Sequence, residues 1–207
     1  MSVNLQDRRA MKWAMTALAG AVLAACGGSD SDPLPVNTLP AGVTQISAKV
    51  YGATTAGTGS TAAGQDLLTG GIGKTGLGAA APPAYANPAS PTADELRRNA
   101  LYSNYRGILD PTVAGGYGTL YGPNVDAQGA VTAGEGKVPG TEYIAFADDG
   151  SGRPNVTLMV QVPASFNPAK PCMITATASG SRGVYAGIST GEWGLKRGCA
   201  VAYSDKG

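Results

Sequence analysis

Histidine is absent from this 207-residue sequence. That removes the one side chain whose ordinary pKa lets it take a serine proton near neutral pH, so a Ser-His-Asp triad cannot be built from these residues. Lysine serves as the base in some serine enzymes, but no S-x-x-K occurs: Ser47 is followed three positions on by Val50, and Ser189 by Glu192. Cysteine is scarce too, at Cys26, Cys172 and Cys199 only. Three thiols without imidazole serve zinc poorly, and no motif implies a cofactor. Charged residues make up 14% of the chain, against roughly 25% in ordinary soluble domains. The net charge of +1 gives no electrostatic case for nucleic acid.

What is present begins with a leader pattern. Arg8, Arg9 and Lys12 precede an apolar run, Ala14 to Ala25, that is short for a membrane span and ends in small residues. Residues 1–26 therefore read as a secretory signal. The tetrad LAAC, Leu23 to Cys26, resembles a bacterial lipoprotein processing box, in which the cysteine becomes the lipidated N-terminus. Two readings stand: a lipid anchor at Cys26, the only membrane contact expected, or plain cleavage near Ala25 with an incidental thiol. Export to the cell exterior, or to the outer membrane if lipidated, follows from either. In an oxidising compartment Cys172 and Cys199 are a possible disulfide, although spacing alone does not show that they meet.

Residues 27–42 form a polar, Pro-rich tether, GGSDSDPLPVNTLP and its continuation. Residues 43–140 read as a loop-rich segment. VTQISAKVYG alternates and suits a short strand. GGIGKTG, Gly70 to Gly76, imitates a phosphate loop, but the glycine a Walker motif needs is Leu68, so it reads as a turn-rich loop. The best helix spans about 92–107. Thr92 and Glu95 form a capping box, and Leu96, Ala100, Tyr105 and Ile108 are expected to share its buried face. In the Gly-rich stretch Gly115 to Gly129, Tyr117 and Tyr121 either line an apolar groove or simply pack.

From 141 to 207 the pattern changes. EYIAFAD and NVTLMVQVPASF flank the turn DDGSGRPN and read as a hairpin. CMITATAS and CAVAY are nearly continuous apolar strands of the kind buried on both sheet faces. Between them GVYAGISTGEWGLKRG suits a short helix with Gly198 as its C-terminal cap. Strand, loop, helix, strand argues a βαβ crossover. GISTG, Gly187 to Gly191, matches G-x-S-x-G, yet no strand runs into it as a nucleophile elbow requires. Ser189 or Thr190 is instead expected to cap the helix.

The order hairpin, strand, Gly/Ser loop, helix, strand resembles the opening of an α/β-hydrolase sheet. The fold class expected is α/β, with the N-terminal part of such a sheet preceded by a signal peptide and a loop-rich segment. Longer strings narrow this: ADELRRNALYSNYRGILD, GTEYIAFADDGSGRPNVTLMVQVPASFNPAKPC, ATASGSRGVY and GEWGLKRGCAVAYSDKG. Together they resemble the N-terminal part of the bacterial D-(−)-3-hydroxybutyrate oligomer hydrolases, from about Ile46 to Gly207. The resemblance implies a serine esterase that cleaves 3-hydroxybutyrate oligomers to monomers in polyhydroxybutyrate degradation. The catalytic serine of such proteins lies beyond the span matched here, so no catalytic position falls on a residue of this sequence. The loop Ser179 to Gly183 takes the place of the oxyanion loop, making the N–H groups of Gly180 and Ser181 candidates, with Arg182 either meeting a substrate carboxylate or lying solvated. The chain alone is expected to be inactive. The alternative is a non-catalytic surface lipoprotein that binds a polymer or partner.

Overall fold

The computed structural model describes residues 38–52, 64–148, 150–151, 155–178 and 180–206. The leader, Cys26, most of the tether, residues 53–63 and Ser179 lie outside them. Contacts divide the chain after Thr38, and the elements below all belong to the second unit, Leu39–Gly207.

Five strands form one mixed sheet: β1 (Val43–Tyr51), β2 (Gly140–Ala147), β3 (Val156–Pro163), β4 (Met173–Thr175) and β5 (Ala200–Ser204). Their spatial order is β1-β2-β3-β5-β4. The first three make an antiparallel meander, β5 runs antiparallel to β3, and β4 lies parallel to β5. Period-two alternation decides what faces inward. The register pairs Glu142 with Gln161 and Ile144 with Met159, and continues to Val201 and Tyr203 on β5. This row meets the helices. The opposite row, Tyr143, Val160 and Ala202, remains partly exposed.

The expected two-sided burial of CMITATAS fails at β4. The strand is three residues long, stands at the edge of the sheet, and leaves Met173 71% exposed. Hydrogen bonding to β5 nevertheless continues beyond it, from Ala176 N–H to Ala202 O and from Ala178 N–H to Ser204 O. The edge strands of the sheet are therefore β1 and β4, while β5 is enclosed between β3 and β4.

The described residues also form three α-helices: α1 (Gly73–Gly78), α2 (Ala93–Arg106) and α3 (Ile188–Lys196). The segment read as a plain loop, GGIGKTG, supplies α1. Glu135 explains it, accepting hydrogen bonds from Thr75 N–H and Thr75 Oγ1, while Thr69 Oγ1 accepts from Gly73 N–H in place of a cap at Ile72. In α2, Thr92 Oγ1 accepts from Glu95 N–H while the Glu95 carboxylate accepts from Thr92 N–H, the reciprocal box expected of S/T-x-x-E. Its buried face is only partly the one read from the apolar residues, Tyr105 alone of them being fully buried. Arg97, Leu101, Tyr102, Asn104 and Tyr105 are buried, whereas Leu96 and Ile108 are half exposed. An internal ion pair turns the helix. Arg97 must reach Glu142, and that places Leu96 toward solvent.

A 3-10 turn (Val184–Gly187) leads directly into α3. Gly198, at φ 73°, ends that helix. Its N–H donates to Leu195 O, and Cys199 N–H donates to Gly194 O, a Schellman closure that returns the chain to β5. Cys172 and Cys199, at the starts of β4 and β5, are joined by a disulfide with Cα atoms 4.6 Å apart.

Candidate functional site

Ser189 is the residue that most invites a catalytic reading. It lies in the first turn of α3, and what precedes it is the 3-10 turn, not a strand. The strand–nucleophile–helix corner that exposes such a serine is missing. Neither does Ser189 or Thr190 cap the helix: the N-cap position is Gly187, with no side-chain capping bond. The glycines of GISTG have a packing cause. A Cβ on Gly187 would stand 2.3 Å from Ala176 O, and one on Gly191 would stand 2.0 Å from Tyr203 Oη. At Gly194 it would meet Ile174 and Val201 within 3.0 Å. Gly187, Gly191 and Gly194 share one helix face, and their missing side chains let α3 lie close on β4 and β5.

The loop after β4 sits where parallel strands of α/β sheets present ligands, at their carboxyl ends. Gly180 is partly buried and Ser181 exposed. Among the described residues, no acceptor meets the N–H of either one. Arg182 is exposed on the same loop. Its guanidinium rests against Gly107 at the C-terminus of α2, close enough that a Cβ there would collide with it. Cations favour helix C-termini, so the contact is a structural one.

The most buried polar cluster escaped the sequence reading. Arg97 and Glu142 are 6% and 2% exposed, paired through Nη2 and Oε2 at 2.8 Å and Nε and Oε1 at 3.0 Å. Glu142 also accepts from Gln161 Nε2 at 2.8 Å and Tyr185 Oη at 2.7 Å, and Gln161 Oε1 accepts from Tyr203 Oη at 2.8 Å. Arg97 continues to Gln65 Oε1 and to the carbonyl of Asp66, and stacks 3.9 Å from the Tyr51 ring centroid. Burial opposes the charge on Arg97, but the hydrogen bond and charge of Glu142 overcome it and hold the guanidinium protonated. Burial, with Glu142 adding to it, pushes the Tyr185 hydroxyl upward. Every strong group here is committed, so the cluster locks α2, the sheet and the 3-10 turn together and is not free for acid–base chemistry. The available signal was strand parity: in EYIAFAD, Glu142 shares a face with Ile144.

A second buried carboxylate, Glu192, binds Tyr105 Oη and Lys196 Nζ, and Lys196 also donates to Gly122 O. Burial and then Glu192 raise the Tyr105 pKa. This pair forms one wall of a cleft of about 300 Å³ between α3 and the stretch from Leu109 to Gly129. Tyr121 lines it, with its hydroxyl donating to Asp110 O, whereas Tyr117 is buried and donates to Lys74 O. The two tyrosines thus divide the roles left open by the sequence. Among the described residues no cluster suits a metal, and no helix is long and apolar enough to cross a membrane.

Sheet, crossover and cleft define a mixed α/β protein, and its described residues contain no assembled catalytic triad. Residues 22–207 match the 3HB-oligomer hydrolase (3HBOH) family, and the chain belongs to it. It is 61% identical over 180 residues to the D-(-)-3-hydroxybutyrate oligomer hydrolase of Cupriavidus necator, covering 87% of this chain and 23% of that protein. The protein of the same description from Polaromonas naphthalenivorans is 60% identical over 197 residues, 93% of this chain and 26% of the relative. With Cupriavidus pinatubonensis identity is 56% over 202 residues, 97% and 27% of the two lengths. The chain thus spans about a quarter of the curated relatives it matches. No solved structure matches it.

Proposed function

We propose that this chain forms the opening part of an α/β-hydrolase sheet in an exported serine esterase that cleaves 3-hydroxybutyrate oligomers to monomers. The observation that carries the reading is the family match across residues 22–207. The parallel β4–α3–β5 crossover beside an antiparallel meander supports the fold. In this reading Gly180 or Ser181 offers a backbone N–H to the developing oxyanion, a donor whose loss typically costs about 10²–10³ in rate. The serine, acid and histidine come from elsewhere, because this sequence has no histidine, and the chain by itself is inactive. The apolar leader supports export, with Cys26 lipidated or cleavage near Ala25, and the Cys172–Cys199 disulfide suits an oxidising compartment.

A chimera tests the proposal. The matching quarter of the Cupriavidus necator relative is replaced by this chain, and release of 3-hydroxybutyrate from the trimer is followed. An active chimera beside an inactive isolated chain is the expected result. A soluble, folded chimera without activity would overturn it. The histidine-free composition favours one other reading, a non-catalytic module that binds polymer, and the inactive chimera is its signature.

A further inference from the structure

The sheet has two faces, and the described helices cover one. α2 reaches it through Arg97 on Glu142, and the 3-10 turn through Tyr185 Oη on Glu142. α3 reaches it through the close approach of Gly191 to Tyr203 and of Gly194 to Val201. Glu142, Val201 and Tyr203 belong to the inward row, so all three contacts fall on the same side. The register fixes the opposite side as well. Val50, Tyr143, Leu158, Val160, Ala202 and Met173 alternate with the inward residues, and none of the six is buried. The only charged residues in the five strands are Lys49 and Glu142. They stand opposite each other in the register, and both face the helices, Lys49 pairing with Asp94 of α2. A sheet with one wet face places its polar residues outward. Here the outward side is the one without charge, which is the pattern of a sheet covered on both faces.

Width and family select what covers it. Neighbouring strands stand about 4.8 Å apart, so five of them span roughly 20 Å, the width of two helices about 10 Å across. A contiguous apolar surface of that size marks an interaction site. The span matched here takes up 23%, 27% and 26% of three relatives, so about three quarters of their polypeptide lies outside it. We propose that the uncharged face is the docking surface for amphipathic helices from that remaining part of the hydrolase polypeptide. Two helices lie side by side across β2, β3 and β5, their apolar stripes against Tyr143, Val160 and Ala202. The inference rests on the oligomer-hydrolase reading for the identity of the partner.

The test compares this full chain alone with the chimera in which it replaces the matching quarter of the Cupriavidus necator relative. Hydroxyl-radical footprinting, read by mass spectrometry at single residues, reports what is covered. Tyr143 is the chief reporter. It is 39% exposed and stands on β2, inside the sheet, so only a cover over the face shields it. Met173, 71% exposed on the edge strand β4, is shielded either by such a cover or by a strand added at the edge. Ready oxidation of both is expected in the chain alone, and several-fold slower oxidation of both in the chimera. Tyr143→Lys should leave the thermal midpoint of the chain alone unchanged, because the position is exposed there. It should lower the chimera's midpoint by several degrees, because the lysine is then buried. Three results would overturn the proposal. Tyr143 could prove as reactive in the folded chimera as in the chain alone. Met173 could be shielded while Tyr143 is not, the mark of strand addition. Tyr143 could already be shielded in the chain alone, by a second copy or by another segment of the same chain. Activity plays no part in the readout: a chimera with a shielded face and no ester hydrolysis fails the hydrolase reading alone, and an active chimera with an open face fails this inference alone.

Discussion

At the scale of single residues, two positions carry opposite lessons about what a motif means. Gly191 completes G-x-S-x-G, but its cause is the Tyr203 hydroxyl beneath it. Alanine favours helices over glycine by about 0.8–1.0 kcal/mol, so propensity alone predicts that Gly191→Ala stabilises. Overpacking against Tyr203 costs about 1–3 kcal/mol and should win. The expected outcome is a lower urea midpoint at unchanged m-value, and a higher midpoint would refute the packing account. Glu142 is the converse case, an unremarked strand residue on which the core depends. Glu142→Leu strands the buried Arg97 guanidinium and should destabilise by about 3–5 kcal/mol. The paired change Arg97→Met with Glu142→Leu should recover much of that loss, which a double-mutant cycle in urea would measure.

At the scale of elements, α2 shows how local and tertiary signals divide the work. Its start is local: Thr92→Ala should cost about 1 kcal/mol, read as a fall in thermal midpoint at neutral pH. Hydrogen bonds from the Ala86 N–H, then from Thr92, hold the Glu95 carboxyl below its ordinary range. A carboxylate whose pKa is depressed by folding stabilises above its unfolded pKa and loses that contribution as pH falls through the folded value. Stability should therefore decline below about pH 4.5. Glu95→Gln should flatten that part of the acid limb, and an unchanged acid limb would count against the capping box. The rotation of α2 is not local. The apolar pattern pointed to Leu96, Ala100, Tyr105 and Ile108; it held at Tyr105 and misled at Leu96 and Ile108, because a buried Arg97 cannot be scored as a core residue until Glu142 is placed opposite it.

The whole molecule is held at its edge by covalent means. β4 is three residues long and has one neighbouring strand, and the Cys172–Cys199 bridge closes a separation of 27 residues beside it. Chain-entropy reasoning gives such a loop about 3.5 kcal/mol of stabilisation. The double variant Cys172→Ser with Cys199→Ser should lose about that much in denaturant unfolding, and reduction of the unmodified chain should reproduce the loss. The free side of β4 invites pairing with another strand. A charge at the exposed Met173, as in Met173→Lys, should lower self-association measured by light scattering, and no concentration dependence in either protein would deny that the edge is sticky.

The sequence by itself determined what depends on near neighbours and period. The hairpin of β2 and β3, the capped start of α2, the Gly198 stop and the strand–helix–strand crossover were legible because turn chemistry and hydrophobic alternation act over a few residues. Absences were equally decisive, since a chain without histidine cannot assemble a histidine-dependent triad whatever its fold. Tertiary structure alone decided which strands became the edges, which face of α2 turned inward, and how Glu135 made a helix of a glycine-rich loop 60 residues away. It also decided that Ser189, already denied an elbow by the sequence before it, lines a cleft and does not cap α3. Those outcomes are set by partners distant in the chain, where burial of one charge or hydroxyl is favourable only once a specific group stands opposite it.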